Sequence, residues 1–229
     1  MNLLRLIDYY IREKKVLHVR QHSYSLTMCG NSYGGFMVAL DELNNESVVY
    51  SFGIGEDLSF SEDIMDTINC SIFAFDPTPK SIRYIEKHKL YTNLRFKFYS
   101  DALSDYDGIT QFHLPLNDDY VSGSIENWDG VKEETIDVRV RSLQTIMTDL
   151  GHEEIDLLKM DIEGTEFRVV EDIVNKNIPV KQICLEFHDR FFENGIDKLE
   201  SMMRQLRMNN YELIYSDKKN CTITLIRTY

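Results

Sequence analysis

From residue 47 onward, hydrophobic positions follow two alternating periods: short runs of β-branched and aromatic residues, then stretches where apolar side chains recur every three or four positions. The runs Ser47–Gly53, Ser71–Asp76, Glu154–Asp161 and Val180–His188 have near-continuous apolar centres, as strands covered on both faces do, and Arg95–Ser100 alternates and reads as a further strand. Helical spacing fills the intervals. Leu58, Ile64, Met65 and Ile68 share one face. Pro79 opens a second helix at a position that tolerates its missing N–H, with Ile82, Ile85 and Leu90 along its apolar side. Ser142 is placed to cap a third helix, bearing Leu143, Ile146, Met147 and Leu150, which Gly151 ends. Phe167, Val170, Ile173 and Val174 mark a fourth, and Leu199, Met202, Met203 and Leu206 a fifth. Tyr211–Ser216 and Cys221–Arg227 read as a closing hairpin. Between Asp101 and Val140 helical periodicity disappears, and the turn signals Asp107-Gly108 and Asp129-Gly130 predict a β-hairpin insertion. The expected fold is α/β: a mostly parallel seven-stranded sheet with an antiparallel edge and helices on both faces.

Residues 1–46 are expected to form an N-terminal helical or loop appendage to a domain spanning 47–229. Within it, Gly30–Phe36 (GNSYGGF) is a turn or loop by composition. Leu3, Leu4, Ile7, Tyr10 and Ile11 lie at helical spacing, which suits an amphipathic helix packed on the domain or on a partner subunit; the segment is too polar for a signal peptide and too short to span a bilayer. A homo-oligomer is compatible with this reading.

Charge narrows the choice of partners. The chain has 229 residues and a formal net charge of -13, and its densest basic runs, Arg12–Lys15 and Lys218-Lys219, are short. Such a surface is a poor match for nucleic-acid phosphates or an anionic membrane, so the expected partner is a small-molecule or glycan acceptor, with no nucleic acid and no stable membrane insertion. The four cysteines form no CxxC and no zinc spacing, and Cys70 and Cys184 sit inside apolar runs; this suits a reducing, cytoplasmic setting.

In open α/β sheets ligands bind beyond the carboxyl ends of the strands, so chemistry is sought there. The first strand leaves through Ser51-Phe52-Gly53-Ile54-Gly55-Glu56, whose glycines allow close backbone approach to a ligand. Leu58 stands where a dinucleotide fingerprint has its third glycine, which argues against NAD; an ordinary strand–helix turn is the plain alternative. Asp76, ending the second strand before Pro77, lies 21 residues past Gly55, near the spacing of a ribose-binding acid; it could also cap the following helix. Asp101 and Ala102 follow the third strand, where an acid can accept an adenine amino group beside an apolar contact, or sit in a solvated turn. Strand alternation puts Lys159 with Asp161 on one face, and Glu186 with His188 on another strand's face. Charges at buried strand ends are costly unless used, and these four would converge if the strands are neighbours. Glu163 and Glu166 open the next helix, where compensation of the macrodipole accounts for them, Glu166 above all.

Taken together, YSFGIGEDLSF, FAFDPTP, SGSI, IDLLKMDIEGTE and LEFH resemble the FkbM methyltransferases, with LKMDIEGTE the most specific element and a likeness running from about Gly34 to Arg227. The resemblance implies a Rossmann-like class I methyltransferase fold, S-adenosylmethionine as cofactor and O-methylation, often of sugars in glycolipids, polysaccharides or secondary metabolites. Carried over to this chain, it implies that Phe52, Gly53, Gly55 and Glu56 line the methionine and ribose portion of the cofactor. Asp76 and Pro77 would hold the ribose, Asp101 and Ala102 the adenine, and Asp161, Glu186 and His188 would face the methyl group. Class I enzymes usually open the glycine motif with an acid; here that position is Ser51 or Phe52, so the cofactor's amino group is left without an assigned contact.

On that basis His188 is the expected general base, since an imidazole titrates near neutrality, with Glu186 or Asp161 orienting it and Lys159 completing the catalytic group. A less favoured version has Asp161, Glu186 and His188, joined by Glu163, holding a divalent cation that acidifies the hydroxyl instead. A catalytically silent cofactor-binding or scaffold module is a further alternative. Tyr33, Trp128 and His113 are candidates to contact a sugar, although ordinary loop packing accounts for each.

Overall fold

The computed structural model describes residues 16–19, 21–217 and 221–228; the amphipathic segment expected within residues 1–15 lies outside them. Three sheets are formed. The central one has the strand order β11-β12-β10-β9-β3-β4-β5, built from β3 (Val48–Phe52), β4 (Ser71–Phe75), β5 (Phe96–Tyr99), β9 (Ile155–Met160), β10 (Val180–Glu186), β11 (Tyr211–Asp217) and β12 (Thr222–Arg227). All its pairings are parallel except those of β12, which runs antiparallel to both β10 and β11. The closing hairpin therefore forms the edge, with its reversed strand one place in.

Strand alternation divides the core into two layers. Tyr50, Phe52, Phe73, Phe75, Leu158 and Leu185 point to one face, covered by α3 (Leu143–Leu150), α4 (Glu166–Asn175) and α5 (Gly195–Met208). Val49, Ile72, Ala74, Leu157 and Cys184 point to the other, under Ile64 and Met65 of α1 (Ser59–Ile68) and Ile85 of α2 (Pro79–Ile85). Burial of each such large side chain contributes about 1.5–3 kcal/mol. The same layer takes in β1 (Thr27–Cys29) and β2 (Phe36–Val38), paired across the Gly30–Gly35 turn. Phe36 and Val38 are buried in it, and Gln182 of β10 accepts from Ala39 N. The described part of the expected appendage thus includes a hairpin packed on the central sheet, with Val16 and Leu17 buried in the opposite layer.

Helix ends follow local chemistry. Thr78 and Ser142 accept from Ser81 N and Thr145 N as N-caps, and Asn69 and Gly151 close α1 and α3 in the left-handed conformation. α2 is shorter than the apolar spacing predicts: it stops at Ile85, and Leu90 lies in a separate 3-10 turn. The insertion forms its own sheet in the order β6-β8-β7, from β6 (Ala102–Ser104), β7 (Gly108–Pro115) and β8 (Val131–Ser142). The expected hairpin is β7 with β8, and β6 adds a parallel strand. Among the described residues no helix is long and apolar enough to cross a membrane.

Candidate functional site

Strand order reverses direction at β3, with β4 and β5 on one side and β9 and β10 on the other. A crevice opens at that point. Its floor is the turn after β3. Gly53 and Gly55 both have positive φ, +72° and +54°, and a Cβ on Gly53 would stand 1.7 Å from the Asp161 carbonyl oxygen. Only glycine lets the two strand ends approach so closely. Lys159, buried, donates to the carbonyls of Phe52 (3.2 Å) and Gly53 (2.5 Å), which holds the turn from beneath. Its nearest carboxylate oxygen on Asp161 is 4.0 Å away.

Asp76 is buried, and its two oxygens hold different segments. Oδ2 accepts from Gly55 N (2.9 Å), while Oδ1 accepts from Thr78 N (2.9 Å) and Thr78 Oγ1 (2.7 Å). The helix cap is Thr78, so Asp76 does not serve as the cap and instead ties the glycine turn to the end of β4. Burial raises its pKa against the opposing pull of those hydrogen bonds. Asp101, also buried, pairs with Arg139, whose second guanidinium nitrogen lies 2.8 Å away, and with Arg141 at 3.5 Å.

The far end of the crevice is acidic. Parallel registry of β9 with β10 sets Met160 beside Leu185, so Asp161 comes level with Glu186. His188 Nε2 faces Glu163 at 3.3 Å, Glu186 at 3.6 Å and Asp161 at 3.8 Å. Its Nδ1 is 2.9 Å from Oε1 of Glu166, which is fully buried. Sequence reasoning places Asp161 or Glu186 behind the imidazole; the structure puts both on the cleft side and Glu166 behind it. Glu163 and Glu166 do not both begin α4. Glu163, with φ +53°, and Gly164, with φ +105°, form a turn ahead of it. Glu166 does stand in the first turn of α4, where it complements the macrodipole, but that role leaves its full burial and its contact with His188 unexplained. Its only local cue is its place at a helix start; the His188 contact joins residues 22 apart.

These surroundings set the charge states. Burial alone would lower the His188 pKa, but Glu166, Glu163 and Asp161 outweigh it and push it up to about 9. The imidazole is therefore protonated at neutral pH in this site, contrary to the neutral-range value expected from its type. Burial, and then repulsion from Asp161, raises Glu186 to about 7, and burial also raises Glu163.

All of these groups line one cleft of about 840 Å³: Phe52, Gly53, Gly55, Glu56, Asp76, Pro77, Asp101, Ala102, Lys159, Asp161, Glu163, Glu186 and His188. The insertion supplies a further wall through Tyr120–Gly123 and Ile125, and the β1–β2 turn another through Asn31–Gly34. Lys80 donates to the Tyr120 carbonyl (3.1 Å), and Ser124 Oγ to the Glu163 carbonyl (2.6 Å). Of the three candidates for sugar contact, Tyr33 lines the cleft and Trp128 and His113 do not. Trp128 stacks on Phe191 at 3.7 Å, and His113 bonds the Lys132 carbonyl.

The Methyltransferase FkbM domain model matches residues 47–213, most of the chain. The chain belongs to the FkbM methyltransferase family. Two curated relatives of this FkbM chain carry the name "Probable methyltransferase-like protein 24". The human one is 23% identical over 193 residues, covering 80% of this chain and 46% of its own length. The rat one is 24% identical over 142 residues, covering 61% of this chain and 32% of its own length. The FkbM chain thus spans less than half the length of either relative. Among solved structures, the fibrillarin/Nop5p complex aligns with a TM-score of 0.50 at 10% identity, over 81% of this chain and 75% of that chain. That likeness concerns the fold alone, and it accords with a Rossmann-like methyltransferase architecture.

Proposed function

We propose that this FkbM chain is an S-adenosylmethionine-dependent O-methyltransferase that acts on a hydroxyl of a sugar-containing acceptor, with His188 as the general base. One observation carries the reading: polar groups from the ends of β3, β4, β5, β9 and β10 meet in a single cleft over a turn that only glycine can make. A nucleoside cofactor fits this donor set. The Phe52–Glu56 turn offers backbone to its methionine portion. Asp76 and Pro77 flank the ribose position, and Asp101 with Ala102 offers an acceptor and an apolar contact to adenine. When bound, the cofactor supplies a methyl group on a positively charged sulfur that a nucleophile displaces in line.

The protein's part is alignment and proton transfer. An alcohol is a weak nucleophile until its proton leaves, and His188 Nε2, in the fraction of molecules whose imidazolium has given up its own proton, faces the cleft to take it. Asp161, Glu163 and Glu186 stand around that nitrogen, ready to accept hydroxyl hydrogen bonds, while the Tyr33 ring at the mouth can pack on the C–H face of a polyol. The same carboxylates would repel a nucleic-acid backbone, which supports a small-molecule or glycan acceptor. Cys29, Cys70 and Cys184 are buried and form no disulfide, in keeping with a reducing, cytoplasmic setting.

Calorimetry with S-adenosylhomocysteine and with NAD tests the cofactor: micromolar binding of the first and none of the second is expected, and the reverse would refute the reading. With labelled S-adenosylmethionine and a panel of glycans, His188→Ala should keep cofactor affinity and lose roughly 10²–10⁴-fold in turnover. Undiminished turnover would remove His188 as base. Cofactor binding with no transfer to any acceptor would favour the silent module.

A second reading rests on a different distance. One ligand atom each from Asp161, Glu163 and His188 lie within 4.8 Å of one another, with Glu186 beside them. A divalent cation there would acidify the hydroxyl in place of the imidazole. Activity that survives exhaustive chelation dismisses it.

A further inference from the structure

The geometry assigns Glu166 as the positioning residue of this site, fixing which nitrogen of His188 carries a proton and tying the Asp161–Gly164 turn to the end of β10 through one carboxylate. This rests on the reading of His188 as base. The assignment follows from a count of donors. Glu166 is fully buried, and its hydrogen-bond partners are two backbone N–H groups and the Nδ1 of His188. Oε1 accepts from Ile162 N at 2.9 Å and faces His188 Nδ1 at 2.9 Å; Oε2 accepts from Gly164 N at 2.8 Å. A backbone N–H only donates, so each oxygen accepts from the turn. With Glu166 as the acceptor, Nδ1 is the nitrogen that donates to it, which leaves Nε2 as the one facing the cleft carboxylates.

The imidazole is also held across its face. Phe191 lies 5.0 Å from the His188 ring, and Trp128 of the insertion stacks behind Phe191 at 3.7 Å. A ring flip would turn a C–H toward a buried carboxylate and leave that charge without its partner. Gly164 belongs to the same assembly. With φ +105°, its added Cβ would lie 3.2 Å from the Phe191 ring and 3.3 Å from Glu126, so the turn that presents its N–H to Glu166 leaves little room for a side chain. Glu166 does not line the cleft and acts only through His188 and the turn.

Glu166→Gln is the discriminating substitution. A side-chain amide offers one acceptor oxygen where N–H groups press from both sides, so either the Gly164 side or the Ile162 and His188 side is left without its acceptor. Nitrogen-15 NMR of the His188 ring reads the proton position directly, and calorimetry with S-adenosylhomocysteine on the same samples checks the fold. In the wild-type chain the neutral ring should carry its proton on Nδ1. In Glu166→Gln that proton should spread to Nε2 while S-adenosylhomocysteine still binds. A neutral wild-type ring protonated on Nε2 overturns the assignment, and this measurement stands even if the variant does not fold. Nδ1–H retained in Glu166→Leu, which leaves no acceptor beside the ring, also overturns it and makes Glu166 a turn cap. Failure of the base reading looks different: His188→Ala would then keep its turnover, whichever nitrogen the wild-type ring protonates.

Discussion

Single residues set the charge of this site, and His188 shows how. Its pKa is about 9 in the folded chain against an ordinary 6.5, so folding takes up a proton between those values. A raised pKa contributes stability that is complete below 6.5 and is lost as pH rises through about 9. Glu186, raised from 4.5 to about 7, acts in the same direction over a lower window. The groups facing the imidazole are Glu166, Glu163, Asp161 and Glu186, all carboxylates, with Lys159 beside Asp161 and Arg190 acting on Glu186, and the carboxylates set the sign at His188. The melting temperature should therefore fall as pH rises from 6.5 to 9, and His188→Ala should flatten that fall. A flat wild-type profile over that range would contradict the assigned charge state. Turnover should move the opposite way and climb toward pH 9, because a base must first be free of its proton. Gly53 gives a second test. Gly53→Ala places a methyl group 1.7 Å from the Asp161 carbonyl at φ +72°, so the β3 turn has to move. The expected cost is roughly 3 kcal/mol of stability, with loss of S-adenosylhomocysteine binding, read by denaturant melts and calorimetry.

At the scale of elements, legibility in the sequence followed locality. Ser142 and Gly151 could be named as the ends of one helix because a cap acts within three or four residues, and the structure shows both in those roles. Ser142→Ala should lower stability by about 1 kcal/mol in a denaturant melt without changing cofactor affinity. A change in affinity would mean that α3 reaches the site by a route its position does not show. Pro79 opened its helix as expected, but the end of α2 was not readable, since Leu90 keeps helical spacing while sitting in a separate turn. The strand-end residues were legible because alternation along a buried strand is strict: Lys159 with Asp161, and Glu186 with His188, all line the cleft. Glu166 was hidden for the opposite reason. Its partner lies 22 residues away on another element, and an acid at a helix start has a common local explanation. Lys159 was legible as a site residue but not in its contacts, which go to the carbonyls of Phe52 and Gly53.

On the scale of the whole molecule, the cleft exists because two sheets meet over it. The central sheet brings the strand ends together, and the segment between β7 and β8 closes one side of the cleft beside the β1–β2 turn. That segment touches both halves of the site. Lys80, just after Asp76 on α2, holds the Tyr120 carbonyl, and Ser124 holds the Glu163 carbonyl beside the acidic end. Sequence periodicity predicted the hairpin but not this bridging, because irregular backbone leaves no period to read. The β7–β8 ladder is paired along most of its length, and the segment it carries adds the His113–Ser124 bridge and the packing of Ile125 to it. Replacing residues 117–129 with a short glycine-serine link should leave the central fold melting cooperatively. The cleft would lose Tyr120–Gly123 and Ile125 from its wall and Trp128 from behind Phe191. The expected result is a folded chain that binds S-adenosylhomocysteine at least tenfold more weakly, the equivalent of about 1.4 kcal/mol. Cofactor affinity equal to that of the intact chain would show that the strand ends of the central sheet suffice, and that the insertion serves the acceptor alone.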